Sequence, residues 1–76
     1  MDKQLNLAAF LKAKRKSVKL TQEALAERAG VGLRFIREAE QGKTSLQLDK
    51  INQVLDLFGH RMAPVATKAL NEDEES

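Results

Sequence analysis

Two arginines three residues apart give this sequence its most specific chemical signal. On a helix, Arg34 and Arg37 would project from neighbouring points of one face. A guanidinium group can donate two hydrogen bonds to O6 and N7 of guanine, which is worth about 1–3 kcal/mol of discrimination between bases. The alternative is that either arginine contacts only a phosphate, or pairs with Glu38 or Glu40. We predict that Arg34 and Arg37 contact the bases of a nucleic acid.

The charge of the chain is unevenly distributed. Its 76 residues carry a net charge of +2, yet four of the eleven acidic residues lie within the last five positions. The rest of the chain carries thirteen basic and seven acidic residues, a net charge of +6, and five of the positive charges fall between residues 12 and 19. A basic body of this kind favours a polyanionic partner, most commonly nucleic acid, with a solvated lysine-rich face as the alternative.

The residue types needed for catalysis or metal binding are missing or isolated. The chain has no cysteine, and its one histidine, His60, has no carboxylate cluster at ligand spacing. No serine has a base in register, and the chain has no glycine-rich phosphate loop. The sequence therefore predicts a protein that is not an enzyme and that needs no metal or cofactor.

The hydropathy pattern argues against membrane insertion and export. The longest uncharged runs are far shorter than the 20 or so apolar residues that span a bilayer. The N-terminus lacks the basic-then-apolar order of a secretory signal. We therefore expect a cytoplasmic location.

The apolar pattern predicts four helices joined by short turns. Thr21 is the expected N-cap of the second helix, and Gly30 its end. Thr44 and Gln47 have the spacing of a capping box, which would open the fourth helix before its apolar stripe of Leu48, Ile51, Leu55 and Phe58. The predicted helices cover residues 5–18, 22–29, 33–40 and 44–58.

The second and third predicted helices lie on either side of a tight turn. Small side chains at Ala26 and Ala29 would let two helices cross closely, and Gly30 can adopt the positive φ that such a turn requires. Val31 and Ile36 would then fill the corner between the helices. Two helices at roughly 90–120°, joined by a three- to four-residue turn, make a helix-turn-helix. The second of them keeps one face free to enter a major groove.

A resemblance to the Xre/phage-repressor helix-turn-helix family is carried by residues 20–31 (LTQEALAERAGV), by Ile36 and by residues 40–43 (EQGK). The run LKAKRK at residues 11–16 is similar to that family's first helix, so the resemblance covers about residues 5–59. Residues 34–38 (RFIRE) and 48–59 resemble the HipB branch, the antitoxins of HipA-type kinase toxins. Two positions depart from the family: Gly32 replaces the usual capping Ser or Thr, and Glu38 places an anion on the third helix.

The motif and this resemblance together imply a set of DNA contacts. Leu33 would pack on a thymine methyl group, or be a partly exposed structural residue. Glu38 would accept a hydrogen bond from a cytosine amino group or orient an arginine. Phosphate contacts are favoured at the N-terminus of the second helix, where free N–H groups attract anions. The base candidates are Leu33, Arg34, Arg37 and Glu38, and the phosphate candidates are Thr21, Gln22 and Lys43.

The resemblance also implies an ion pair and a dimer. Arg15 and Glu40 match the positions of a largely buried ion pair in the phage-repressor family. The fourth helix carries more apolar surface than one small core needs, and the segment 60–67 would offer a short unpaired strand. That strand would pair across a two-fold axis, as in the HipB branch. The predicted dimer contacts are Val54, Leu57, Met62 and Val65.

These observations lead to one prediction of fold and function. We expect an all-α, compact four-helix domain with a central helix-turn-helix over residues 1–59, a short strand or dimerisation segment over 60–67, and a disordered acidic tail over 68–76. The expected function is a homodimeric repressor that binds a palindromic operator in double-stranded DNA, acts as the antitoxin of a HipA-like kinase toxin, and regulates its own operon. The alternatives are a stand-alone Xre-type repressor without a toxin and a protein-interaction module that retains the fold without DNA binding.

Overall fold

Four α-helices make up this fold. The computed structural model describes residues 6–67, and these residues contain no β-strand. The predicted bounds of the second and third helices are confirmed, whereas the first and fourth helices are shorter than predicted. The helices are α1 (Leu7–Ser17), α2 (Gln22–Ala29), α3 (Leu33–Glu40) and α4 (Leu48–Asp56).

Helix α1 begins and ends at local capping interactions. Asn6 is its N-cap, and the Asn6 Oδ1 atom accepts a hydrogen bond from the Ala9 N–H at 2.8 Å. At the other end Lys19 has a φ of 60°, and the Leu20 N–H donates to the Arg15 carbonyl at 3.1 Å. The predicted start at Leu5 lies outside the described residues. The chain therefore leaves α1 through a left-handed residue that is not glycine.

A tight corner joins α2 to α3. Thr21 caps α2, as predicted, because its Oγ1 accepts a hydrogen bond from the Ala24 N–H at 3.0 Å. Gly30 then takes a φ of 76°, and the Val31 N–H donates to the Ala26 carbonyl at 3.0 Å. A left-handed glycine with this hydrogen bond is the usual way in which a chain turns out of a helix. Helix α3 begins at Leu33, three residues after Gly30.

The core is assembled from all four helices. Helix α3 packs against both α1 and α2, and α4 packs against α2. Three of the five buried residues that α2 and α3 contribute are alanines, which allows these helices to approach closely. The buried core residues are Leu11, Leu25, Ala26, Ala29, Ile36, Ala39, Ile51, Val54 and Leu55.

Helix α4 starts later than the capping-box prediction placed it. Gln47, not Thr44, is the N-cap, and its side chain makes no capping hydrogen bond. Residues 43–47 are not helical, and Leu46 within them packs against the core. Burying Leu46 requires an extended connection here, so the local capping signal is overruled by tertiary packing. As a result, Leu48 is 59% exposed and does not belong to the buried stripe.

The segment after α4 runs beside that helix without forming a strand. The Met62 N–H donates to Asn52 Oδ1 at 2.7 Å, and the His60 ring lies edge-on to Phe10 with 4.9 Å between ring centroids. A β-strand needs a partner for its backbone groups, and a single copy of residues 60–67 has none. Pairing of these residues across a dimer stays a prediction, and the predicted acidic tail at 68–76 lies outside the described residues.

Candidate nucleic-acid interface

Helix α3 buries one face and exposes the other. Ile36 and Ala39 are 1% and 2% exposed, respectively, and anchor α3 in the core. Arg34 and Arg37 lie on the exposed side, and the Arg34 side chain is 90% exposed. Since the inward residues fix the rotation of the helix, the two arginines face solvent together.

Glu38 joins Arg34 to Lys43. The Arg34 Nε donates to Glu38 Oε2 at 3.2 Å, and the Lys43 Nζ donates to Glu38 Oε1 at 3.3 Å. The hydrogen bond from Lys43 is the main reason that the pKa of Glu38 lies below its ordinary value, with Arg34 adding to the effect and burial opposing it. The carboxylate is therefore ionised at neutral pH and holds one cation with each oxygen.

The turn after α3 brings Lys43 to this carboxylate. Gly42 has a φ of 95°, in the left-handed region, and the Lys43 N–H donates to the Glu38 carbonyl at 3.1 Å. That backbone hydrogen bond fixes the main chain of Lys43 about one turn beyond Glu38. Its ammonium group reaches back to the Glu38 carboxylate, and the side chain stays 46% exposed.

Arg37 and Leu33 have different surroundings. Among residues 6–67, no carboxylate lies within ion-pair distance of Arg37. Leu33 is half-buried and packs against the core, as its structural interpretation proposed. Arg37 thus keeps its guanidinium group for an external partner, whereas a thymine contact by Leu33 stays a prediction.

The two phosphate candidates at the start of α2 are both engaged within the protein. The Thr21 hydroxyl oxygen caps the helix, and the Gln22 Nε2 donates to Glu40 Oε1 at 3.0 Å. The other N–H groups of the first helical turn have no acceptor within the helix. A phosphate at this site would therefore meet backbone donors first, and contacts by the Thr21 and Gln22 side chains stay predictions.

Arg15 and Glu40 meet beneath this surface. The Arg15 Nε and Nη2 atoms donate to the two Glu40 carboxylate oxygens at 2.7 and 3.0 Å, and the Nη1 donates to the Leu20 carbonyl at 2.9 Å. The side chains of Arg15 and Glu40 are 11% and 2% exposed. Burial raises the pKa of Glu40, but the hydrogen bonds from Arg15 and Gln22 outweigh it and lower the pKa overall.

One of the four predicted dimer residues is not available to a partner. Val54 is fully buried in the core, which corrects the prediction that it contributes to a dimer surface. Leu57, Met62 and Val65 are exposed. The sequence pattern placed Val54 and Leu57 on one apolar stripe, but only the packing of α4 on α2 determines which of them is covered.

Two side chains on α4 have structural roles that the sequence pattern did not indicate. The Gln53 Nε2 donates to the Ala29 carbonyl at 3.0 Å and so satisfies the end of α2 at the corner. Its neighbour Asn52 holds the backbone of Met62. Neither contact has a local sequence signal, because each joins residues that are ten or more positions apart.

Two short helices joined by a three-residue turn that contains a left-handed glycine have the form of a helix-turn-helix. This chain belongs to the helix-turn-helix family HTH_3, which matches residues 11–61. It is also similar to the uncharacterized HTH-type transcriptional regulator y4mF of Sinorhizobium fredii (strain NBRC 101917 / NGR234), with 44% identity over 54 residues and 71% of each chain covered. No helix among residues 6–67 is long and apolar enough to cross a bilayer.

Proposed function

We propose that this chain is a transcriptional repressor that recognises DNA by placing α3 in the major groove. The observation that carries the proposal is the solvent-facing pair Arg34 and Arg37 on a helix whose opposite face is anchored by Ile36 and Ala39. Family membership and the regulator named among its relatives support the same function. Nothing in the proposal requires catalysis, and the repressor acts without a cofactor.

The proposed repressor works as a homodimer. Leu57 is 46% exposed, and Met62 and Val65 are exposed on the segment that Asn52 holds beside α4. Contact between these side chains in two copies would bury them and hold the two α3 helices in a fixed arrangement. On a palindromic operator the two helices would enter successive major grooves about 34–36 Å apart.

The finer proposal is that the repressor is a HipB-like antitoxin that regulates its own operon and binds a HipA-like kinase toxin. Its support is the resemblance of residues 34–38 and 48–59 to that branch. A stand-alone Xre-type repressor is the alternative, and a kinase-like reading frame beside the gene would favour the antitoxin. The protein-interaction module without DNA binding is favoured by one specific observation: the single negative charge of Glu38 offsets part of the positive charge of Arg34 and Lys43.

Selection from a randomised pool of DNA duplexes tests the repressor proposal. We expect the wild-type protein to enrich a palindromic duplex, which we call the selected duplex, over a shuffled duplex of the same composition. Replacing Arg34 by Ala should weaken binding to the selected duplex by about 1–3 kcal/mol per half-site and leave binding to the shuffled duplex almost unchanged. Failure to enrich any duplex, or salt-insensitive binding, would support the interaction module instead.

Lys43 provides the matched control within the same surface. Replacing Lys43 by Ala should weaken binding to both duplexes and lower the slope of log affinity against log salt by about one for each phosphate that is no longer neutralised. If Arg34→Ala and Lys43→Ala weaken the two duplexes equally, α3 does not read sequence and the proposal is wrong.

A further inference from the structure

Glu38 occupies a position that is unfavourable for a simple DNA contact. Its carboxylate lies on the same helix as Arg34 and Arg37, and a carboxylate close to a phosphate is repelled. Yet both of its oxygens are used within the protein, one by the Arg34 Nε and the other by the Lys43 Nζ. The Glu38 side chain is only 26% exposed, so the two cations partly cover it. These interactions suggest a role different from direct contact with a base.

The atom by which Arg34 is held determines which of its donors remain free. Glu38 takes the Nε hydrogen and leaves both terminal nitrogens, Nη1 and Nη2, without an acceptor among residues 6–67. Those two nitrogens form the outer edge of the guanidinium group. An edge with two parallel N–H donors matches O6 and N7 of guanine. An unrestrained arginine loses rotational freedom about several bonds when it binds. Because Glu38 already restricts the Arg34 side chain in the free protein, less conformational entropy is lost on binding DNA.

We propose that Glu38 is a positioning residue for DNA recognition: it orients Arg34 for a bidentate guanine contact and, by holding Lys43, weakens binding to DNA of any sequence. This inference rests on the proposed function, because it takes α3 as the helix that enters the major groove. Of the two roles predicted for Glu38 from sequence, it selects the orientation of an arginine over the contact with cytosine.

The proposal predicts that one substitution at Glu38 raises the affinity for DNA of any sequence and lowers the preference for the selected duplex. Glu38→Gln is nearly isosteric and removes one negative charge from the interface. Binding to the shuffled duplex should become tighter, because Lys43 is released and a repulsive charge is removed. The ratio of affinities for the selected and shuffled duplexes should fall by about 3- to 10-fold, since a less ordered Arg34 retains only part of the discrimination that a bidentate arginine provides.

A matched control separates the effect of positioning Arg34 from the effect of a change in net charge. Glu27→Gln makes the same change of charge on the exposed side of α2, where no ion-pair partner lies within reach among residues 6–67. It should leave the affinity ratio unchanged. Thermal melting of both variants would establish that each is folded at the assay temperature.

A double-mutant cycle decides whether Glu38 acts through Arg34. In the Arg34→Ala background, Glu38→Gln should no longer lower the affinity ratio, because the side chain that Glu38 orients is gone. If Glu38→Gln lowers the ratio equally in both backgrounds, Glu38 contacts a base itself and the inference is wrong. An unchanged ratio for Glu38→Gln alone would also overturn it.

The cycle distinguishes this inference from the proposed function. If Arg34→Ala lowers the affinity ratio but Glu38→Gln does not, α3 reads sequence and only the positioning role of Glu38 fails. If Arg34→Ala leaves the ratio unchanged, the proposed function fails first. A parallel cycle with Lys43→Ala on the shuffled duplex should show a larger loss of affinity in Glu38→Gln than in the wild-type protein.

Discussion

Arg15 and Glu40 are 25 residues apart in sequence and meet through two hydrogen bonds of 2.7 and 3.0 Å. The pair connects α1 to the last residue of α3, and the Gln22 amide adds a third hydrogen bond to the same carboxylate. Side chains of α1 and α2 therefore both bind the carboxylate of Glu40 in α3. Because its side chain is 2% exposed, water cannot replace a missing partner.

Replacing Arg15 by Met should destabilise the fold by about 3–5 kcal/mol, because it leaves the Glu40 carboxylate buried without its counterion. A domain of this size has only about 4–11 kcal/mol of stability, so much of it would be lost. Urea denaturation of the variant and the wild type measures the difference. The double variant Arg15→Met/Glu40→Leu should recover most of the loss. A single variant that melts within a degree or two of the wild type would contradict this prediction.

The same pair gives stability a defined dependence on pH. The pKa of Glu40 is lowered in the folded state from an ordinary value of 4.5, so folding favours the ionised form. Its contribution is therefore fully present above pH 4.5 and is lost as the pH falls through the folded pKa. Urea midpoints measured between pH 7 and pH 3 should fall less steeply below 4.5 in Glu40→Gln than in the wild type. Equal slopes in the two proteins would show that Glu40 does not titrate as described.

Gly32 offers a site for stabilising α3. It is the N-cap of that helix without a side-chain hydrogen bond, its φ is −76°, and a Cβ atom added there meets nothing within 4 Å. Gly32→Ser should therefore raise stability by about 0.5–1 kcal/mol, through a new cap and a less flexible unfolded chain. Gly42→Ser is the matched control: space is equally free there, but a φ of 95° makes the side chain unfavourable. Melting temperatures that shift in the same direction for both variants would refute this explanation.

Lys19 carries backbone strain that glycine would relieve. Its φ of 60° puts the backbone in the left-handed region, which costs roughly 1–2 kcal/mol for a residue that carries a β-carbon. Lys19→Gly should raise the free energy of unfolding by about 0.5–1 kcal/mol, after the greater flexibility of glycine in the unfolded chain is subtracted. Lys16→Gly, in the last turn of α1, should lower it by up to about 1 kcal/mol, the cost of glycine within a helix. Chemical denaturation of both variants tests the opposite signs.

Leu57 tests the proposed dimer without disturbing the core. It is 46% exposed, so Leu57→Glu should leave the monomer folded while placing a charge in the two-fold contact. Sedimentation at tens of micromolar should then show a monomer in place of a dimer. Leu48→Glu is the control, because Leu48 is 59% exposed and lies nine residues away, about half a turn around the helix axis. Equal dissociation by both variants would place the dimer contact elsewhere on α4.

The helix-turn-helix could be predicted from sequence because its boundaries depend on local interactions. Thr21 caps α2 through its own hydroxyl group, and Gly30 ends it with a conformation that few other residues adopt. The start of α4 could not be predicted in this way, since the burial of Leu46 overrules the capping signal at Thr44. Lys19 gave no signal at all, because lysine has no preference for a positive φ.

In the candidate site too, the features that depend on local sequence could be predicted, and those that depend on tertiary packing could not. That Arg34 and Arg37 share one exposed face follows from helical periodicity alone. The contact between Lys43 and Glu38 depends on the left-handed turn at Gly42. The hydrogen bond from Gln22 to Glu40 depends on where α3 ends. The contact of Gln22 with Glu40 joins residues 18 positions apart, so it follows from the three-dimensional arrangement of the helices and has no counterpart in the local pattern.

The alanines at the crossing of α2 and α3 have a consequence for the thermodynamics of recognition. Ala26, Ala29 and Ala39 have no side-chain torsions to fix, so burying them loses almost no side-chain entropy. These three alanines let the backbones of α2 and α3 approach closely, and only Leu25 and Ile36 bring side-chain torsions to the buried residues of the two helices. If α3 recognises DNA as proposed, the helix that carries Arg34 and Arg37 is therefore already in place before DNA arrives, and the ordering needed on binding is confined to a few long side chains at its surface.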